Sequence, residues 1–219
     1  MKRYIFKMPA HKVDDFEKLI KNKIGFSVAL LEAVQIILTE HHYENLRRDN
    51  MIIVNVSRMK RLVVVLNSKI FSCHFPFNIE LREDSNENHF RITLPYTNIT
   101  INNQYLSVIK SFISNKLQKC IAIDDLLEEF WEHIRENNVN NDVVERELSV
   151  ILIYLLNIEP GYLRYDKDTE RRNGDLHPEH HLDMFYSNGT KLKIGLKNGI
   201  GIEEFIDFLD IETDVRYLE

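Results

Sequence analysis

Between Met51 and Phe77 the chain carries three short runs rich in Val, Ile and Phe: Met51 to Val56, Arg61 to Leu66 and Lys69 to Phe77. Runs of this length and composition read as β-strands. Only Asn67 and Ser68 separate the last two, which fits a tight hairpin turn and antiparallel pairing. In the third run Phe71, Cys73, Phe75 and Phe77 alternate with Ser72, His74 and Pro76, giving that strand one apolar face and leaving His74 toward solvent.

Around this block the period changes. Residues 3–8 form a short strand closed by Pro9, and Val13, Phe16, Leu19 and Ile20 then recur at helical spacing. From Val28 to Leu38 the chain is apolar nearly all round, the pattern of a buried helix, and it runs out through His41, His42 and Tyr43 into Arg47-Arg48. His41 and His42 are expected at the surface. Phe90, Ile92 and Leu94 alternate again, followed by Ile99 and Ile101, while the polar stretch Arg82 to Asn88 reads as an exposed loop. Helical spacing returns over Tyr105–Leu117, Asp124–Arg135 and Val143–Leu156, with Trp131 expected in the core and Asp142 as an N-cap.

Glu159-Pro160-Gly161 ends the helical region. Tyr162–Asp166, His181–Tyr186 and Lys191–Leu196 follow as strands, the last two joined by Ser187-Asn188-Gly189-Thr190, and Glu203–Leu209 closes as a helix. Strands and helices come in blocks instead of alternating. The fold expected is therefore α+β, an antiparallel sheet with segregated helices and a C-terminal β-hairpin plus helix. Residues 1–219 are read as one domain, with 103/104 as the place for any subdivision.

Composition narrows the setting. Net charge is −6, which argues against a dedicated DNA-coating protein but leaves room for a local basic patch. Arg58, Lys60 and Arg61 make one such cluster, read as a solvated edge. Cys73 and Cys120 lie far apart without a CxxC, so neither a disulfide framework nor a cysteine zinc site is expected. The N-terminal residues lack the apolar stretch of a signal peptide, and no apolar run reaches the roughly 18 residues of a membrane span. A cytoplasmic protein without membrane association is expected, its oligomeric state open.

One segment is dense in chemistry, Tyr162 to Leu196. Three of the nine histidines, His177, His180 and His181, fall inside it, among several Asp and Glu. Alternation puts Arg164 and Asp166 on one face of their strand, joined by Asp168 if the chain stays extended. It puts His181 and Asp183 on one face of theirs. Arg164, Asp166, His177, His181 and Asp183 are then candidates to converge at neighbouring strand ends. A histidine held by a carboxylate is a general acid or base near neutral pH, and an arginine stabilises developing phosphate charge. The set suits phosphodiester cleavage without a cofactor. A divalent metal on His177, His181 and Asp183 is the alternative, and a purely structural ion pair with exposed histidines is the third reading.

Sharper motifs fail. Asp166-x-Asp168-x-Glu170 begins like a calcium loop, but Arg171 stands where the loop requires Gly. No P-loop, GxSxG, HExxH or GxGxxG is present. Arg172 and His177 have the Arg-x4-His spacing of helical HEPN ribonucleases, but Gly174 and Pro178 disfavour a helix there.

Arg164-Tyr165-Asp166 followed by His177-Pro178-x-x-His181-Leu182 resembles uncharacterised bacterial domain families with an Arg-Tyr-Asp…His-Pro-x-x-His-Leu signature. The segment is also loosely similar to toxin-type proteins of toxin–antitoxin pairs, which carry Arg-Tyr-Asp and a Pro-His-His-Lys-His cluster; the Lys is absent here. The resemblance covers about 35 of the 219 residues. It implies a bacterial or phage-related setting, a defence or toxin role on RNA and a protein partner encoded nearby. The expectation is a nucleic-acid-directed hydrolase: His177 or His181 as acid/base, Asp166 and Asp183 as orienters, and Arg164 on the phosphate. The rival is a non-enzymatic interaction module, an accessory subunit or antitoxin.

Overall fold

The computed structural model describes residues 2–19, 23–45, 50–56, 58–84, 87–117, 123–139, 141–187 and 190–214. In chain order the elements are β1 (Arg3–Lys7), α1 (Ala10–Leu19), α2 (Lys23–Thr39), β2 (His42–Tyr43), β3 (Met51–Asn55), β4 (Arg61–Val65), β5 (Lys69–His74), β6 (Asn78–Asp84) and β7 (Glu87–Thr93). There follow α3 (Asn103–Asn115), α4 (Ile123–Glu136), α5 (Asp142–Asn157), β8 (Tyr162–Lys167), β9 (His180–Ser187), β10 (Thr190–Gly195) and α6 (Ile202–Asp207). All strand pairings are antiparallel and the class is α+β. Among the described residues, no helix is long and apolar enough to cross a membrane.

The chain divides into two compact units. One comprises Met1–Val13, His41–Phe75 and Pro160–Glu219; the other comprises Asp14–Glu40 and Pro76–Glu159.

The first unit holds an eight-stranded sheet in the order β10-β9-β8-β5-β4-β3-β1-β2. Its register explains its core. Val65, Ile70, Tyr165, Leu182 and Ile194 lie opposite one another in a row across β4, β5, β8, β9 and β10. Phe205 and Ile206 of α6 pack into the same apolar cluster as this row. On the opposite face a second row runs Phe6, Ile52, Val64, Phe71, Arg164, Asp183 and Lys193. That row is apolar from β1 to β5 and turns to charge at β8, which is where the candidate site lies.

β5 is apolar on both faces, not one: Ile70, Phe71 and Cys73 are all buried, and so is Ser72, whose Oγ accepts from Arg61 Nε at 2.9 Å. β5 lies between β8 and β4, and its buried residues fall on both faces of the sheet. Arg61 thus turns inward, also donating to the Gly161 carbonyl, while Arg58 stays exposed beside Glu212 at 3.7 Å.

In the second unit α3, α4 and α5 pack together, and α2 packs against α3, α5 and β7. Phe112 and Phe130 meet with ring centroids 4.7 Å apart. Lys110 Nζ is 2.9 Å from Glu32 Oε1. Three expectations need correction here. Of the stretch Arg82 to Asn88 expected as a loop, 82–84 belong to β6 and 87–88 to β7, with Arg82 opposite His89 and Glu83 opposite Asn88, and 85–86 lie outside the described residues. The N-cap of α5 is Asn141, whose Oδ1 accepts from the amides of Val143 and Val144. Trp131 is 37 % exposed, its indole donating to Ser149 Oγ at 3.1 Å; the buried stripe of α4 is Leu126, Phe130, His133 and Ile134.

Candidate functional site

β8 and β9 pair antiparallel with Arg164 opposite Asp183 and Asp166 opposite His181. Residues two apart on a strand share a face, so these two cross-strand pairs form a quartet on one side of the sheet. β5 brings Phe71 and Lys69 into the same two rows, and β10 brings Lys193 and Gly195. The hairpin turn between β9 and β10 expected at Asn188-Gly189 falls on two residues outside the described ones.

Three of the four side chains are withdrawn from water: Asp166 is 4 % exposed, His181 1 % and Asp183 3 %. Arg164 sits between the carboxylates, its Nη2 lying 2.7 Å from Asp166 Oδ2 and donating to Asp183 Oδ2. Burial acts to discharge this guanidinium, but Tyr162, Asp166 and Asp183 outweigh it and hold its pKa above the usual value. Burial likewise pushes the Tyr162 phenol upward, against the pull of Arg164. Lys193 Nζ approaches from β10 to 3.8 Å from Asp183 Oδ1.

His181 is oriented by the backbone. Its Nδ1 is 3.0 Å from the Pro178 carbonyl, which only accepts, so Nδ1 carries a proton and donates it. Nε2 then faces Asp166 Oδ2 at 3.4 Å. Gly195 makes room for this arrangement, because a Cβ there would stand 2.9 Å from Pro178 Cγ.

The chain between β8 and β9 forms a loop closed at its base by the Asp168 amide donating to the Glu179 carbonyl at 2.8 Å. At its tip Asn173 and His177 form an isolated antiparallel bridge around Gly174, whose φ of +51° lies in the left-handed region glycine tolerates best. No helix forms here, so Arg172 and His177 are not on a common helix as in the HEPN pattern.

Asp168 organises the loop. Its Oδ1 accepts the Arg171 amide at 3.0 Å, and its Oδ2 lies 2.7 Å from Arg171 Nη2 and 3.1 Å from His177 Nε2. The Arg171 amide first, then His177 and the Arg171 guanidinium, hold this carboxyl down to about 2. The His177 ring lies edge-on to His181, centroids 5.0 Å apart. Its side chain is 22 % exposed, those of Arg171 and Arg172 75 % and 65 %.

All five residues picked from the sequence therefore meet in one neighbourhood, but in two layers. Arg164, Asp166, His181 and Asp183 form a buried quartet. His177 belongs to the loop above them and takes Asp168 as its carboxylate. A metal-capable set is present, and it differs from the expected one: Asp166, His181 and Asp183 each offer a ligand atom within 4.8 Å of the others, and Asp166 stands where His177 was expected. Arg164, expected on a phosphate, is engaged by two aspartates. Sequence reasoning overlooked Arg171, Pro178 and Gly195. For Lys193 the signal was there, since alternation on β10 sets it on one face with Lys191.

No protein-family model matches the sequence, and neither a curated protein nor a solved structure is similar to it. The site therefore stands on its own residues.

Proposed function

We propose that this chain is a nucleic-acid-directed hydrolase acting on RNA, a toxin-like cytoplasmic protein of a bacterial defence or toxin–antitoxin system, with His177 as its acid/base. The observation that carries the reading is the His177–Asp168 pair at 3.1 Å on a partly open loop flanked by two exposed arginines. Asp168 Oδ2 accepts the hydrogen bond of Nε2–H, which leaves Nδ1 as the basic nitrogen. Nδ1 accepts the 2′-hydroxyl proton while that oxygen attacks the adjoining phosphorus. The P–O5′ bond breaks, and water protonates the departing oxygen. The Arg171 and Arg172 guanidiniums are exposed while their carboxylates are more covered, so each presents donors to solvent that can meet a phosphate.

The quartet then serves as the floor on which the loop is built. Its burial favours a second reading, a non-enzymatic interaction module in which Arg164, Asp166, His181 and Asp183 only brace β8 against β9.

End-labelled RNA and DNA of one sequence separate the two readings. The hydrolase cleaves RNA and spares DNA, which lacks the attacking hydroxyl, and His177→Ala slows cleavage by about 10²–10⁴-fold. Identical traces from wild type and His177→Ala would leave only the interaction module.

A further inference from the structure

The geometry points to a binding site for one divalent transition-metal ion, zinc or manganese, on Asp166, His181 and Asp183 at the buried β8–β9 pairing. This does not rest on the hydrolase reading. Asp166 Oδ1 and Asp183 Oδ1 are both buried without a hydrogen-bond donor. A buried ionised oxygen left without a donor is costly, so native structures give such atoms a partner. Arg164 is already used on the Oδ2 side of both aspartates, and Lys193 reaches no nearer than 3.8 Å to Asp183 Oδ1.

His181 supplies the third donor. Its Nδ1–H donates to the Pro178 carbonyl, which leaves Nε2, 3.4 Å from Asp166 Oδ2, to meet a cation placed between them. A metal-bound histidine is held in this way, its other nitrogen donating to a backbone carbonyl. A second proton on Nε2 would answer only the Oδ2 side and leave both Oδ1 atoms as they are. A cation answers all three. The mixed nitrogen and oxygen set suits zinc or manganese better than calcium or magnesium, and its ligand atoms all lie within 4.8 Å of one another.

The full-length protein, stripped with chelator, is titrated with zinc and with manganese by calorimetry, and its Co2+ derivative is read by visible absorption. One ion per chain is expected, with cobalt bands and a raised thermal midpoint. His181→Ala and Asp166→Asn each weaken binding by more than about 100-fold, the upper end of the loss when a supporting group goes, and Lys193→Ala does not weaken it. Should a ligand variant fail to fold, manganese added to wild type decides, because it broadens the ring resonances of His181 and of the adjacent His177 before those of histidines remote from β8 and β9. No saturable binding of either ion, or binding unchanged in both folded ligand variants, overturns the site.

Discussion

Arg164 and Asp183 face each other across the β8–β9 ladder, and the guanidinium that reaches Asp183 also reaches Asp166, its second neighbour along the same strand. One cation thus ties two carboxylates that would otherwise repel in a buried place. Truncating it leaves both without their principal counter-ion. Arg164→Ala is expected to cost about 3–5 kcal/mol in urea unfolding. Replacing Arg164, Asp166 and Asp183 together by apolar residues costs less than that single change. A loss below about 1 kcal/mol for Arg164→Ala would mean the pairing is solvated after all.

Gly195 controls His181 from the neighbouring strand. A methyl group there meets Pro178 Cγ at 2.9 Å, and Pro178 carries the carbonyl that holds His181 Nδ1. Gly195→Ala is expected to cost about 1–3 kcal/mol and to move the His181 ring resonances, while Gly201→Ala, where a Cβ meets nothing within 4 Å, leaves them in place.

His133 in α4 is buried with its Nε2 3.2 Å from the Val108 carbonyl. Burial first, and Lys116 after it, lower its pKa below the ordinary 6.5, against the Val108 carbonyl and Glu136. The unfolded chain then takes up a proton that the folded chain resists, so stability falls as pH drops below about 6.5. His74, also lowered by burial, adds to the same slope. Urea midpoints at pH 7.5 and 5.5 are expected to differ in wild type, and to differ less in a folded His133→Gln variant.

Cys73 is 2 % exposed, and burial pushes its thiol up to about 12, with Arg61 opposing. Thiolate is the reactive form, so iodoacetamide at neutral pH should leave the Cys73 peptide unmodified in mass spectra until denaturant is added.

Strand alternation was enough to place Arg164 with Asp166 and His181 with Asp183, because a period of two leaves each side chain only two faces to occupy. It did not reveal which strand lies beside which. Arg164 opposite Asp183 is a matter of register, fixed by burial of Tyr165 and Leu182 on the other face. Nor did it show that the quartet would be buried, which removes Arg164 from phosphate duty. β6 was hidden because only Ile79 and Leu81 mark its apolar side and its remaining residues are polar. Trp131 misled because the apolar arc of α4 is wider than the stripe that packs. The Asp168–His177 contact depends on the turn at Gly174, a tertiary detail no periodicity carries.

The hydrolase reading is tested most directly by chemical rescue of His177→Ala on labelled RNA. Added imidazole occupies the space of the missing ring and supplies the same base. Wild type cleaves, the variant is slow, and imidazole restores a measurable part of the rate in His177→Ala but not in a variant that also carries Arg171→Ala and Arg172→Ala. Wild type that leaves RNA intact, or a variant that cleaves as fast as wild type without imidazole, contradicts the account.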